Sequence, residues 1–286
     1  MRRLSWSCGR CAAWPWLPGK QHRRRQQMSK LSVITLALNE EHNIVDCLES
    51  VKWADEVIVV DSGSTDKTVD LARQFTDKVL TVEWKGYGAT KNVALDHATG
   101  DWILWLDADE RVPPELAEEI QSVLREDTMC AGFDVARRAY FLGKWIKHCG
   151  WYPGRVTRLF RKDKSRFTET NVHEQIVVVG KIGNLQYDLL HFTDPDLQHY
   201  FNKFNKYTSL AAKDMQAAGK KFSLYDILVR PPFLFFKMYI VRRGFLDGIQ
   251  GFILSVVSSA YVFTKYVKLW ELQHKTMKEE MNGHQG

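Results

Sequence analysis

The chain has 286 residues, 45% of them hydrophobic, enough to bury one large core or two modest ones. Its formal charge of +6 is concentrated in residues 1–27, which hold seven Arg or Lys and no acid, so residues 28–286 sum to −1 and a nucleic-acid-binding surface is poorly supported. The five cysteines, at 8, 11, 47, 130 and 149, are odd in number and fit a reducing compartment better than a disulfide framework.

Residues 1–27 show neither helical nor strand periodicity, and Arg10 and Pro15 interrupt any apolar core that a secretory signal would need. Cys8 and Cys11 have CxxC spacing, but no second ligand pair follows to complete a zinc site. The segment reads as a disordered tail or a gene-model extension, with Met28 as the start before the first strand.

From 28 to 130 the pattern alternates. Leu31–Leu38 reads as a buried strand, and Asn39 follows as a candidate N-cap. Ile44–Trp53 reads as a helix with Ile44, Cys47, Leu48 and Val51 on one face. Glu56–Val60 is a second strand, running into the cap-rich turn Asp61–Asp66. Lys67–Phe75 is a helix, Lys78–Trp84 a strand, and Ala89–His97 a helix stopped by Thr99-Gly100. Then comes Trp102–Glu110, WILWLDADE, an apolar run ending in two carboxylates. The run suits a fully buried strand, although periodicity alone leaves a buried helix turn open. Strands and helices at this spacing imply βαβ units and a mostly parallel sheet, with right-handed crossovers placing the post-strand loops along one rim.

Asp107 and Asp109 stand at i and i+2, so in extended chain both face one point beyond the strand's carboxyl end. Two hard oxygen ligands there suit Mg²⁺ or Mn²⁺, with phosphate oxygens completing the shell. By itself the D-x-D pattern is more often a solvated acidic turn.

LSVITLALNEEHNI, VIVVDSGSTDKT, GYGATKNVAL and ILWLDADE, in that order, resemble the family 2 inverting glycosyltransferases. Within that family they look most like the lipopolysaccharide-core β-glucosyltransferase-like group. The resemblance spans roughly Leu31 to Leu124. It implies an α/β fold of the GT-A type, which binds a nucleotide-diphospho-sugar over a mostly parallel sheet. It further implies that Thr35, Leu36 and Glu40 line the nucleoside pocket. Asp61 would contact the base, and Lys91 would lie by the base or the diphosphate. Asp107 would lie near ribose and diphosphate, with Asp109 the closest metal contact. The bland alternatives are a turn cap for Asp61 and a solvated helix face for Lys91.

Residues 131–192 read as the acceptor-side half of the same catalytic domain. Phe133–Phe141 alternates as a strand would. Trp151 and Tyr152 offer flat rings suited to stacking on sugars, and Arg155, Arg158 and Arg161 could hold phosphate or carboxylate. An amphipathic hairpin with Arg on its wet face is the competing reading. His173-Glu174 precedes the strand Ile176–Val179. Inversion needs a base for the acceptor hydroxyl, and the resemblance places V-H-E here, so Glu174 is the expected base with His173 orienting it. His191 could be a third metal ligand or a packed core histidine, with the second slightly favoured.

Residues 193–286 read as a helical, basic and aromatic region. Leu197–Ala218 is an expected helix. Residues 221–270 hold seven Lys or Arg and two Asp, with the uncharged run Gly248–Thr264 among them. At 17 residues the run is short for a bilayer span, so an in-plane interfacial helix is expected, with Lys237, Arg242, Arg243, Lys265 and Lys268 toward headgroups. Glu271–Gly286 reads as a frayed polar end.

The expected function is transfer of a sugar from a nucleotide-diphosphate donor, a UDP-sugar first, to a lipid-linked glycan such as lipopolysaccharide core. The setting would be the cytoplasmic face of a bacterial membrane, with Mn²⁺ or Mg²⁺ as cofactor. Transfer to polyprenyl phosphate, or a non-catalytic nucleotide-sugar-binding module, are the alternatives.

Overall fold

The computed structural model describes residues 29–82, 87–126, 128–168 and 175–283. Residues 1–27, with Cys8 and Cys11, and the pair His173 and Glu174 lie outside the described residues.

Strand β1 (Leu31–Ala37) leads to helix α1 (Ile44–Glu49), strand β2 (Glu56–Asp61), helix α2 (Thr68–Ala72), strand β3 (Val79–Thr81), helix α3 (Tyr87–His97) and strand β4 (Trp102–Asp107). These four strands are parallel and lie in the order β3-β2-β1-β4. The parallel pairing of this last run with β1 settles the strand reading, and Trp102, Ile103, Leu104, Trp105 and Leu106 are all buried, as in a strand covered on both faces. At about 1.5–3 kcal/mol per buried large side chain, this strand and β1 are principal sources of core stability.

The entry to β4 is fixed by Gly100. A Cβ there would stand 2.6 Å from the Ser32 amide nitrogen and 2.9 Å from the Lys30 carbonyl, so only glycine allows the turn to lie against β1. The Gly100 N–H donates to Ser32 Oγ at 2.8 Å. The register that follows sets Leu36 opposite Asp107 at the carboxyl rim.

Beyond β4 come the short strand β5 (Glu110–Arg111), helix α4 (Pro114–Arg125), the long strand β6 (Cys130–Phe141), strand β7 (Lys144–Trp145) and strand β8 (Arg155–Arg161). Strand β9 (Ser165–Phe167) pairs with β10 (Ile176–Val178) as a separate antiparallel ribbon. Strand β11 (Lys181–Asn184) runs parallel to β6, as does β12 (Leu189–Asp194), which also pairs antiparallel with β5. Among the described residues the main sheet has ten strands, with β8 and β6 continuing the order after β4.

The last part is helical: α5 (Leu197–Ala217), α6 (Leu224–Leu228), α7 (Arg230–Phe236) and α8 (Gly248–Gly283), with a wide π-helical turn at Lys237–Val241 and a 3₁₀ turn at Gly244–Asp247. Asp196 caps α5 by accepting the His199 N–H at 2.7 Å.

Three expectations are corrected here. Asn39 is no helix cap: it sits at φ 55, and its Oδ1 accepts the Thr65 N–H, tying the first two rim loops together. Residues Glu271–Gly283 continue α8 instead of fraying, supported by the i,i+4 pair of Glu271 with Lys275 at 2.8 Å. Lys268 does not face outward. Its Nζ donates to Asn205, Thr208 and Ser209 on α5, because α5 packs along α8 and offers a row of oxygens.

Candidate active site

A cleft of about 610 Å³ opens at the carboxyl rim of the parallel strands. Its floor comes from Leu36 at the end of β1, Glu40 in the loop after it, and Ser62 after β2. Lys91 of α3, Asp107 at the end of β4, Asp109 just after it, and His191 of β12 form one side. Lys203, Lys206 and Tyr207 of α5 form the other.

The D-x-D segment is built from its middle outward. Ala108 is buried with Ala37, Ile44 and Leu48, so its small side chain is the one turned to the core. Asp107 and Asp109, on either side, turn away. Asp109 is held by the backbone of β12, where the Phe192 N–H donates to the Asp109 carbonyl at 2.9 Å. The pairing of His191 with Glu110 then brings His191 Nε2 to 3.4 Å from Asp109 Oδ2. Lys203 Nζ lies 3.9 Å from the same oxygen.

Beneath the rim is a buried charge network. Arg158 Nη2 donates to Asp107 Oδ2 and, at 2.7 Å, to Glu110 Oε1. Glu110 is fully buried, accepts the Asp107 N–H at 3.1 Å, and has Arg137 Nη1 at 3.8 Å. Burial alone would raise the Asp107 carboxyl, but Arg158 and then Lys91 hold it well below the usual carboxylate range. Glu110 is pushed upward because its burial outweighs the attraction of Arg158. The guanidinium of Arg158 is buried too, yet Asp107 and Glu110 push its pKa upward. Glu40 is also raised, by burial first, against the hydrogen bond it accepts from Asn43 Nδ2 at 2.8 Å.

Arg158 reaches this position through a bulge. Thr157 pairs with Asp134 and Leu159 with Phe133, so Arg158 is the extra residue between them. The three arginines expected to converge on an acceptor therefore separate. Arg158 becomes the counter-ion of Asp107 and Glu110. Arg155 Nη1 donates to the Leu185 carbonyl at 3.2 Å, and Arg161 lies over the Trp102 ring at 4.9 Å. Trp151 is likewise drawn in: it packs with Phe141, Met238 and Leu254 rather than presenting a free face. The Tyr152 hydroxyl donates to Asp188 Oδ2 at 3.1 Å, and its ring meets Trp145 edge-on.

On the donor side, Leu36, Glu40, Lys91, Asp107 and Asp109 share the cleft. Thr35 does not reach it, since its side chain is fully buried one position below the rim. Asp61 is buried as well, and its carboxylate accepts the N–H groups of Gly63 and Ser64, so it shapes the turn that brings Ser62 to the cleft. Lys91 is no solvated helix face: it is buried, 5.0 Å over the Trp105 ring and 5.3 Å over Phe167. His191 lines the cleft, which corrects the packed-core reading. Sequence reading missed Glu110, although it stands three residues after Asp107 inside the same motif. It also missed the two α5 lysines, whose i,i+3 spacing puts both on one helix face.

Asp109 and His191 fit a divalent cation as a partial set open to the cleft. Asp107 is engaged by Arg158, and no group of three His, Cys, Asp or Glu able to hold a metal occurs among the described residues. Ligands from a bound phosphate would have to complete the shell.

Residues 32–178 match the family described as Glycosyl transferase family 2. The chain is 32% identical over 248 residues to the lipopolysaccharide core biosynthesis glycosyltransferase LpsC of Rhizobium meliloti, covering 84% of this chain and 92% of that protein. It is 31% identical over 264 residues to an uncharacterized glycosyltransferase of Rickettsia typhi, covering 88% and 89%. Among solved structures it is similar to the mannosyltransferase PcManGT of Pyrobaculum calidifontis, crystallised with GDP-Man and Mn²⁺. That match has a TM-score of 0.50 at 16% identity over 85% of this chain and 87% of that one, a likeness of fold alone.

Proposed function

Since the chain belongs to glycosyl transferase family 2 and is a glycosyltransferase, we propose that it moves a sugar, with inversion, from a nucleotide-diphosphate donor to a lipid-linked glycan. The observation that carries this reading is the pairing of Asp109 with His191 at 3.4 Å in a cleft flanked by three lysines. A carboxylate and an imidazole suit Mn²⁺ or Mg²⁺, and Lys91, Lys203 and Lys206 suit a diphosphate. When bound, a divalent cation would offset negative charge on the diphosphate leaving group. UDP-sugars are the first donors to test. A lipopolysaccharide-core or related cell-envelope glycan is the acceptor class that the relative's name supports. The reaction would take place at the cytoplasmic face of the membrane.

In the reaction, the acceptor oxygen forms a bond to the anomeric carbon while the bond from that carbon to the diphosphate oxygen breaks. The hydroxyl proton passes to a base, for which we assign Glu174, with His173 orienting it. The described residues on either side of that stretch, Thr168 and Gln175, are paired with each other near Lys91. The Thr168 N–H donates to the Gln175 carbonyl at 3.0 Å, and Phe167, one residue earlier, meets Trp105 at 4.9 Å beneath Lys91. Arg158 and Glu110 hold the Asp107 end of the motif, and Leu36 and Glu40 offer the floor for the nucleoside.

The test is hydrolysis and transfer of a panel of nucleotide sugars with and without Mn²⁺. Release of nucleoside diphosphate from one donor, dependent on the metal, is expected. Absence of release from every donor in the presence of Mn²⁺ and a total-lipid acceptor fraction would count against the reading.

A further inference from the structure

The helical region carries an apolar surface that the fold leaves uncovered. Phe233, Phe236, Val241, Phe245, Leu246 and Ile249 are 47% to 64% exposed. They form one patch rather than scattered positions. Rings bridge α7, the turn after it and α8: Phe235 meets Phe252 at 6.0 Å, and Tyr239 meets Phe252 at 5.5 Å and Phe245 at 6.3 Å. The patch is anchored from below by Met238 and Leu254, buried with Phe141 and Ile146 of the sheet layer. Soluble monomers rarely expose a contiguous apolar surface of this kind without a binding role.

Charge decides between occupants. Between residues 220 and 270 the sequence has two acids, Asp226 and Asp247, and both are buried. Asp226 pairs with Arg230 at 2.7 Å and Lys220 at 3.3 Å. Asp247 accepts the amide N–H groups of Lys147 and His148. The cations at the patch rim, Lys237 and Arg243, are exposed. Pairing two copies about a two-fold axis would bring these like charges together. An anionic lipid surface matches both the apolar centre and the basic rim.

We propose that this surface, formed by α7, residues 237–247 and the first turns of α8, is inserted in-plane into an anionic bilayer. Helix α8 is long and apolar enough to cross a membrane by length and composition. Its partner α5 excludes crossing, because Lys203, Lys206, Lys213 and Asp214 would be carried into hydrocarbon with it. The same packing joins the two surfaces: α5 lines the cleft on one side and holds α8 on the other, with Phe204 against Tyr261 at 5.7 Å. Such a surface would bring a lipid-linked acceptor to the cleft, and to that extent it rests on the proposed function.

The experiment is co-sedimentation of the full chain with phosphatidylcholine vesicles and with vesicles of equal parts phosphatidylcholine and phosphatidylglycerol. Wild type should pellet with the second kind. Lys237→Gln with Arg243→Gln should weaken that binding about 30-fold, from the contribution of a juxtamembrane cation. Phe233→Ser with Phe245→Ser should weaken it at least as much, with melting temperature and Mn²⁺-dependent UDP binding retained. Wild type remaining in the supernatant with anionic vesicles would overturn the proposal, as would either double variant pelleting like wild type. A wild-type dimer in light scattering that the phenylalanine variant turns into monomer would instead assign the patch to a second copy. Mn²⁺-dependent hydrolysis of a nucleotide sugar by a chain that ignores vesicles removes only the membrane surface. Vesicle binding without hydrolysis of any donor removes only the proposed function.

Discussion

Replacing Arg158 by Met tests the charge network beneath the D-x-D motif. Methionine keeps an unbranched chain in the bulge but leaves Asp107 and Glu110 facing each other without their shared cation. Glu110 is fully buried, so its loss is on the scale of a broken buried pair, about 3–5 kcal/mol. Asp107 is 40% exposed toward the cleft, so its share is screened to about 1 kcal/mol or less. Arg137, 3.8 Å from Glu110, stays in place and keeps the total near the lower end. At a urea slope of about 3 kcal/mol per molar, the midpoint should fall by at least about 1 M at pH 7.5. The pH dependence gives a second signature. In wild type, Asp107 is held low, so it adds stability above its unfolded value of about 3.9, lost as pH falls through its lower folded value. Glu110 is raised, so it subtracts stability as pH climbs above its unfolded value of about 4.3. Removing Arg158 raises both carboxyls, so the variant's deficit should shrink on going from pH 7.5 to pH 5. A deficit below about 1 kcal/mol that does not change with pH would refute the network as described.

Glu174→Gln should lower kcat by about 10²–10⁴-fold and leave donor affinity unchanged, read by transfer rate at saturating donor beside calorimetry. Lys203→Ala removes a cation 3.9 Å from Asp109 and should weaken nucleoside-diphosphate binding about tenfold in the presence of Mn²⁺. Gly100→Ala should lower stability by about 1–3 kcal/mol, seen in chemical denaturation, because its Cβ would meet the β1 backbone.

The parallel half of the fold is legible in the sequence because its strands are buried on both faces. Leu31–Ala37 and Trp102–Asp107 announce themselves as apolar runs, with errors of a residue or so at the ends. The antiparallel half is less legible. One extra residue in β8 separates Arg155, Arg158 and Arg161, and a bulge depends on the partner strand's register, which local pattern does not encode. The cleft was half visible. Asp107 and Asp109 follow from i,i+2 spacing, and Lys91 and Glu40 from the resemblance. Lys203 and Lys206 come from α5, more than ninety residues after the motif, and His191, left open in the sequence between metal ligand and core residue, is set beside Asp109 by the pairing of β12 with β5. Asp61 shows the converse: a residue can sit at the right rim and still be turned into the fold.

The most direct test of the central claim is calorimetric titration of UDP into wild type and Asp109→Ala, each with and without Mn²⁺. The account predicts binding by wild type that depends on the metal, and loss of that metal-dependent binding in Asp109→Ala with the fold retained. Equal Mn²⁺-dependent affinity in the two proteins would contradict it.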